Sequence, residues 1–269
     1  MSLYVYHSNV HTGREPVAGE IPVYDDLNIA HGDNIFEIPK GSLVVPRFRM
    51  LPFAAELEKE VESAGSRLAN TYREHRNIAN LFSWVHLLDG ITAPAYTLDD
   101  FSRLPEGEYF LKGETNSKKF SWFDSSYAPT KGDIMRVAGN LMNDAYVGNQ
   151  QIVIRPFQKY RQIGVSVTGQ PIFHERRAFF YRGELLSEGC YWDTTDYGVP
   201  TPLFPRKYSD IKTEAIGRVD HLAKFIVIDF AEYEDGSWGV VELNDGSMSG
   251  LSDNDPYILW SNFKRKVNK

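Results

Sequence analysis

Two apolar runs, FIVIDF at residues 225–230 and WGVV at 238–241, are joined by a short segment containing Asp235-Gly236. Asp-Gly between alternating apolar residues is a strong hairpin signal, so an antiparallel pair is expected here. Side chains alternate between faces along a strand. Ile226 and Ile228 therefore share one face, and Val227 and Asp229 the other. In VVELND, Glu242 and Asn244 likewise project together. Paired through the turn, Asp229 and the Glu242/Asn244 pair are expected at neighbouring positions on one face. Two carboxylates and an amide oxygen suit a hard cation such as Mg²⁺. The same residues suit a hairpin with a polar solvent face, and spacing alone leaves both readings open.

The chain of 269 residues is long enough for two or three packed lobes. With 42% hydrophobic and 24% charged residues it reads as globular rather than disordered. A net charge of −7 argues against broad nucleic-acid binding. The single cysteine, Cys190, excludes an internal disulfide framework and fits a reducing cytosol. No apolar run approaches a membrane span, and MSLYVYHSNVHTG lacks the basic-then-apolar pattern of an export signal. The expectation is a cytoplasmic monomer or small oligomer without membrane contact.

Elsewhere helices and strands mix. Residues 3–6 and 43–45 read as short strands, 53–65 as a helix stopped by Gly65, and 74–90 as one helix. In that last helix Ile78, Leu81, Phe82, Val85 and Leu88 form an apolar stripe. Pro94 breaks the chain and Thr97 is placed to cap a restart. EYFLKG is a strand ending in Lys112, ETNSKKFSWFD a polar loop returning as a strand, and GDIMRVAGNLMNDAY a helix. QQIVIRPFQKY is a buried strand stopped at Pro156, and HERRAFFYRGELL a hairpin turning at Gly183. IKTEAIGRVDHLAKF reads as a helix, and a short helix precedes the basic tail. The fold class is α+β, with antiparallel sheet in the second half.

Two further sets of charges stand out. Lys112 at a strand end, followed by Lys118 and Lys119 in a Ser/Thr/Asn loop, suits phosphate binding without a glycine nest. A surface hairpin with solvated lysines has the same pattern. Arg155 directly follows an apolar run, while Glu175 and Arg177 alternate with Phe179 on one strand face. Arginine on rigid strand positions can grip phosphate or carboxylate at two points, and a cross-strand ion pair is the plainer reading. The sequence contains no G-x-x-x-x-G-K-[ST] loop, no G-x-G-x-x-G fingerprint and no G-x-S-x-G elbow. HERRA lacks the second His of a zinc helix, the histidines show no ligand spacing, and Cys190 reads as core.

Taken in order, these blocks resemble the ATP-grasp superfamily. NIANLFSWVHLLDGITAPAYTL is similar to the helix and GI-x-x-P segment leading into its small lobe. YFLKGETNSKKFSW is similar to its lysine strand and phosphate loop, IVIRPF to its hinge strand, and ERRAFFYRGELL to its E-x-R hairpin. IVIDFAEYEDGSWGVVELNDGSMSGLS resembles its metal-binding end. RFRMLPFAAELEKEVESAG and TYREHRNIAN are similar to one clade, met in phages and bacteria and named for its Arg and Lys signature. The resemblance spans roughly residues 43–255. Arg76, Arg155 and the lack of glycine in the loop ETNSKKFSWFD depart from the common pattern.

The resemblance implies two α+β lobes clasping ATP, residues 93–157 and 158–269, preceded by a small α/β domain over 1–92. It implies Lys112 with Lys118 or Lys119 on the phosphates, and Arg155, Pro156, Phe157 and Glu175 at the nucleotide. Arg177 is implied on the γ-phosphate or an acyl-phosphate, sharing the catalytic role with Lys112. Asp229, Glu242 and Asn244 are implied as Mg²⁺ ligands. The expected reaction joins a carboxylate to an amine or thiol through an acyl-phosphate, releasing ADP and phosphate. The acceptor class is an amino acid, a peptide or a protein terminus. Alternatives on the same site are phosphoryl transfer without ligation and a nucleotide-binding adaptor without turnover.

Overall fold

In the computed structural model, which describes residues 2–7, 19–48, 50, 53–118, 121–166, 169–192 and 206–268, the first apolar run becomes a central strand. Leu3–Tyr6 (β1) pairs in parallel with Ala30–Gly32 (β2) and Leu43–Pro46 (β3), and β3 pairs with Arg67–Leu68 (β4). Parallel strands need crossovers; Ile21–Asp26 (α1) and Ala54–Ser63 (α2) lie in two of them. Gly65, at φ +77°, follows α2 in the left-handed region that glycine adopts without steric cost. Both faces of this sheet are buried. Tyr4 and Val44 cluster with Leu57 and Val61 of α2, whereas Val5 and Val45 cluster with Trp260 and Phe263 from the C-terminal helix.

The helix expected over residues 74–90 is broken. Tyr72–Ala79 (α3) starts from a capping box of Thr71 and Glu74, but Asn80 is extended at φ −84° and ψ 115°. Its side chain accepts the Phe82 N–H at 2.9 Å and donates to Glu114 at 2.8 Å. An asparagine that bonds the local backbone in this way competes with helix and favours a cap. Leu81–Trp84 (α4) and a 3₁₀ turn, Val85–Leu88, follow. The apolar stripe survives the break, because Ile78, Leu81, Trp84 and Leu88 all enter one core.

The next lobe has a core of its own. Tyr109–Gly113 (β5) lies between Tyr127–Ala128 (β6) and Ile152–Pro156 (β7) in a three-stranded antiparallel sheet. The polar loop does not return directly as a strand. A helical turn, Trp122–Ser125 (α5), intervenes and buries Trp122. Ile134–Met142 (α6) presents Ile134, Val137, Ala138 and Leu141, a helical-period set, to Leu111, Ile152 and Ile154.

Gln162–Val165 (β8) and Pro171–Phe173 (β9) form a small hairpin. The remaining strands are Glu175–Tyr181 (β10), Glu184–Cys190 (β11), Phe225–Glu232 (β12) and Trp238–Asp245 (β13), antiparallel in the order β11-β10-β12-β13. Arg182 and Gly183, at φ 51° and 76°, make the two-residue turn between β10 and β11. Arg206–Val219 (α7) covers one face with Ile211, Ala215 and Val219 against Phe180, Ile226 and Ile228. Pro256–Val267 (α8) covers the other, placing Trp260 and Phe263 against Phe179, Phe225 and Val227. That second face is where the N-terminal sheet docks, so β1 and β3 share a core with the last sheet.

Candidate active site

From the Asp235-Gly236 turn, β12 and β13 pair as Glu232–Trp238, Ala231–Gly239 and Phe230–Val240. Continued, that register would set Asp229 against Val241 and turn Glu242 and Asn244 to the opposite face. A bulge intervenes between Asp229 and Phe230, so Asp229 faces Glu242 and Val227 faces Asn244. The packing records the change of parity, because Trp238 and Val240 before the bulge and Leu243 after it share one core. Bulges re-aim side chains and release ladder groups. Here the carbonyl of the extra residue, Val241, accepts from Arg155 Nη1 at 2.8 Å.

Across the sheet Arg177 lies opposite Asp229. Its Nε and Nη2 hold the two Asp229 oxygens at 2.8 Å each, and Nη1 donates to the Gly250 carbonyl at 2.9 Å. The Tyr191 ring lies 4.7 Å from the guanidinium carbon. Burial by itself would lower the Arg177 pKa, but the Asp229 charge overrides it and holds the group above the usual arginine range. Asn244 directs Nδ2 toward Asp229 Oδ2 at 3.5 Å. Lys112, buried on β5, forms an ion pair with Glu242, so the two lobes meet through opposite charges. Among the described residues Arg155 hydrogen-bonds neutral oxygens. Its Nη2 donates to Thr92 Oγ1 at 2.7 Å and Ala93 O at 2.6 Å, and burial pushes its pKa down.

Two adjoining cavities surround this centre. One is an aromatic slot lined by Phe110, Trp122, Phe157, Tyr160 and Phe173, with Lys112, Arg155, Pro156 and Glu175 at its walls. The other is polar and takes in His75, Thr115, Asn116, Arg177, Tyr191, Asn244 and Asp245. Ser117 and Glu242 line both, so the carboxylate stands at their junction. A flat apolar slot suits a planar heterocycle, and the cations at its mouth suit phosphate. Glu175, buried on β10, accepts from Trp192 Nε1 at 3.2 Å.

The structure thus brings Lys112, Arg155, Pro156, Phe157, Glu175, Arg177, Asp229, Glu242 and Asn244 to one cleft. Lys118 is turned to Asp144 at the end of α6 instead, and Lys119 lies outside the described residues. Among the described residues no three His, Cys, Asp or Glu side chains group as metal ligands. Sequence reasoning missed His75 and Asp245, although Asp245 directly follows Asn244 in VVELND. It also missed Arg47. This fully buried arginine pairs with Glu20 at 2.6 Å and donates to the carbonyls of Gly246, Ser247 and Ser249 at 3.1, 2.9 and 2.8 Å. It thereby fixes the loop after β13 from the N-terminal sheet, and nothing in its local sequence marks that contact.

The fold is that of the ATP-grasp proteins. It is similar to D-cycloserine synthetase DcsG, with TM-score 0.67 and 12% identity over 99% of this chain and 100% of that one. The D-alanine–D-alanine ligase from Bacillus anthracis, complexed with ATP, gives TM-score 0.60 and 12% identity over 94% of this chain and 88% of that one. The ATP-grasp ligase PsnB, complexed with minimal precursor, Mg and ADP, gives 0.54 and 10% over 92% and 90%. Residues 90–263 match the ATP-grasp domain of the R-two-K clade, family 3, and the chain belongs to that family. No curated protein matches the sequence. No helix among the described residues is long and apolar enough to cross a membrane.

Proposed function

We propose that this chain is an ATP- and Mg²⁺-dependent ligase that joins a carboxylate to an amine through an acyl-phosphate, releasing ADP and phosphate. The observation that carries the reading is the meeting of the aromatic slot and the polar pocket at Glu242, with the buried cations Lys112 and Arg177 beside it. The family and its ligase neighbours support an ATP-dependent ligase. In this reading adenine lies among Phe110, Phe157 and Phe173, between lobes of residues 93–157 and 158–269. Lys112 leaves Glu242 for the phosphates, Lys118 leaves Asp144 to join it, and Arg177 faces the transferred phosphoryl group.

The chemistry asks for position and charge rather than for a side-chain nucleophile. A substrate carboxylate attacks the γ-phosphorus and ADP leaves. The acceptor then bonds to the acyl carbon and phosphate departs with the bonding electrons. Asp229, Glu242 and Asn244 fit Mg²⁺ by donor type, since two carboxylates and an amide offer only hard oxygens on neighbouring cross-strand positions. Each carboxylate is already neutralised by a cation, Arg177 or Lys112, whose role a divalent ion can share. When bound, Mg²⁺ supplies charge neutralisation at the phosphate oxygens. The buried thiol of Cys190 is consistent with a reducing, cytoplasmic setting.

Nucleotide product analysis tests this. Wild type and Glu242→Ala are given Mg·ATP with pools of amino acids, short peptides or polyamines. Release of ADP and phosphate with one pool only, abolished by the substitution, is the expected result. A stable phosphorylated product in place of an amide would instead identify a phosphotransferase. ATP binding with no turnover in any pool would point to a macromolecular substrate outside the pools or to an adaptor.

A further inference from the structure

The polar pocket reaches around the edge strand β13 to a pair of groups that phosphoryl transfer does not use. Asp245 follows the bulge with the parity of Leu243, so its side chain leaves the sheet on the α3 side. There Asp245 Oδ2 lies 3.0 Å from His75 Nδ1, and the two residues are 3% and 1% exposed. The other carboxylate oxygen, Oδ1, accepts the Ser247 N–H at 2.8 Å and Asn70 Nδ2 at 3.0 Å. Asn70 is itself held by the Phe225 N–H at 2.8 Å and the Phe225 carbonyl at 2.7 Å.

A carboxylate that accepts two N–H groups on one oxygen acts as an acceptor on the other, which puts the imidazole proton on Nδ1. In the neutral imidazole Nε2 then carries a lone pair. It is buried and, among the described residues, has no hydrogen-bond partner; buried polar groups are usually paired, and this one faces a pocket. A purely structural tie between α3 and β13 accounts for Nδ1 but leaves Nε2 unexplained. His75 and Asp245 both line the polar pocket, so a ligand seated there can bring the missing donor.

Resting on the ligase reading above, we propose that the polar pocket seats a primary amine acceptor and that His75 Nε2 takes the proton the amine sheds. As the amine nitrogen bonds to the acyl carbon, the carbon–oxygen bond to phosphate breaks and phosphate leaves with the electron pair. The nitrogen's proton passes to Nε2. The acceptor reacts as the free amine, and Asp245 stabilises the resulting imidazolium. Asn70 and the Ser247 N–H keep Asp245 in place.

The test has two arms. ¹⁵N NMR of the imidazoles, with His75 assigned by its loss in His75→Asn, reads the tautomer without any substrate. A protonated Nδ1 and a bare Nε2 at neutral pH are expected; a proton on Nε2 overturns the proposal. The second arm compares acceptors in the presence of Mg·ATP and pooled carboxylates. The side-chain amide introduced by His75→Asn can keep the contact with Asp245 while Nε2 is lost. Hydroxylamine is uncharged at neutral pH and traps an acyl-phosphate without help from a strong base. With His75→Asn, amine-dependent phosphate release should fall about 10²- to 10⁴-fold further than hydroxamate formation does, the usual worth of a general base. Equal loss of both reactions, or loss of neither, overturns the assignment. Wild-type protein that forms no hydroxamate from any donor overturns the ligase reading itself, whatever the tautomer.

Discussion

The two ends of the cleft each hold a buried arginine, and they hold it differently. Arg177, at the polar end, faces Asp229 through two parallel hydrogen bonds of 2.8 Å. Among the described residues, Arg155, at the aromatic end, donates its hydrogen bonds to neutral oxygens: the Val241 and Ala93 carbonyls and the Thr92 hydroxyl. The first is a charge cancelled inside the protein. The second is a charge spread over dipoles, and it rivets the hinge strand β7 to β13 and to residues 92–93. Arg177 therefore depends on one carboxylate to balance its charge, whereas Arg155 shares its hydrogen bonds between two segments of chain.

Breaking the charged pair should have the largest effect. Asp229→Ala leaves the Arg177 charge buried and unpaired, a loss of about 3–5 kcal/mol in urea unfolding. The double substitution Arg177→Met/Asp229→Leu removes both charges and should regain most of that stability while remaining without ATP turnover. A double variant as unstable as the single one would show that the pair is not the unit. Arg155→Met should be milder, at about 1–3 kcal/mol, because the oxygens it leaves are neutral. An equal or larger loss there would erase the contrast.

The aromatic end is sharpened by Phe157→Ala. It removes one wall of the slot, and calorimetry should show ATP binding weakened about tenfold, or ~1.4 kcal/mol, within the range of base–aromatic stacking. Affinity for ATP that is unchanged would place adenine elsewhere. Smallest of all is Lys118→Gln in nucleotide-free protein, at under about 1 kcal/mol and weaker still in high salt. The hydrogen bond from Lys118, with help from the Tyr146 N–H, holds the Asp144 carboxyl below its usual value. A lowered carboxyl pKa adds stability above the unfolded value of about 3.9 and loses it as pH falls through the folded value. The difference between wild type and variant should therefore be present at neutral pH and vanish in acid.

Much of the fold was legible because it is local. The Asp235-Gly236 turn, the alternation in FIVIDF, the Gly65 stop and the helical stripe of Ile78, Leu81 and Leu88 are set by period and turn chemistry within a few residues. The helix break at Asn80 was only half legible: its cap on the Phe82 N–H is local, whereas Glu114, which holds its amide, lies in another lobe. Lys118 illustrates the same limit: its loop could be read from sequence, its pairing with Asp144 could not.

The sequence by itself determined that Asp229, Glu242 and Asn244 stand on paired strands near one turn, and that the blocks follow the order of an ATP-grasp chain. Whether the three residues share a face was decided by a single bulge at Val241, since the turn's own register would have parted Asp229 from the other two. Tertiary structure supplies that bulge with its reason: the freed Val241 carbonyl is met by Arg155 from β7, a residue 86 positions away. Likewise His75 finds Asp245 across 170 residues, and Arg47 finds the loop after β13 across about 200. Turns and periodicity act between neighbours, so sequence reveals them; a buried polar group takes whichever partner the packed chain brings to it, and only the folded molecule says which.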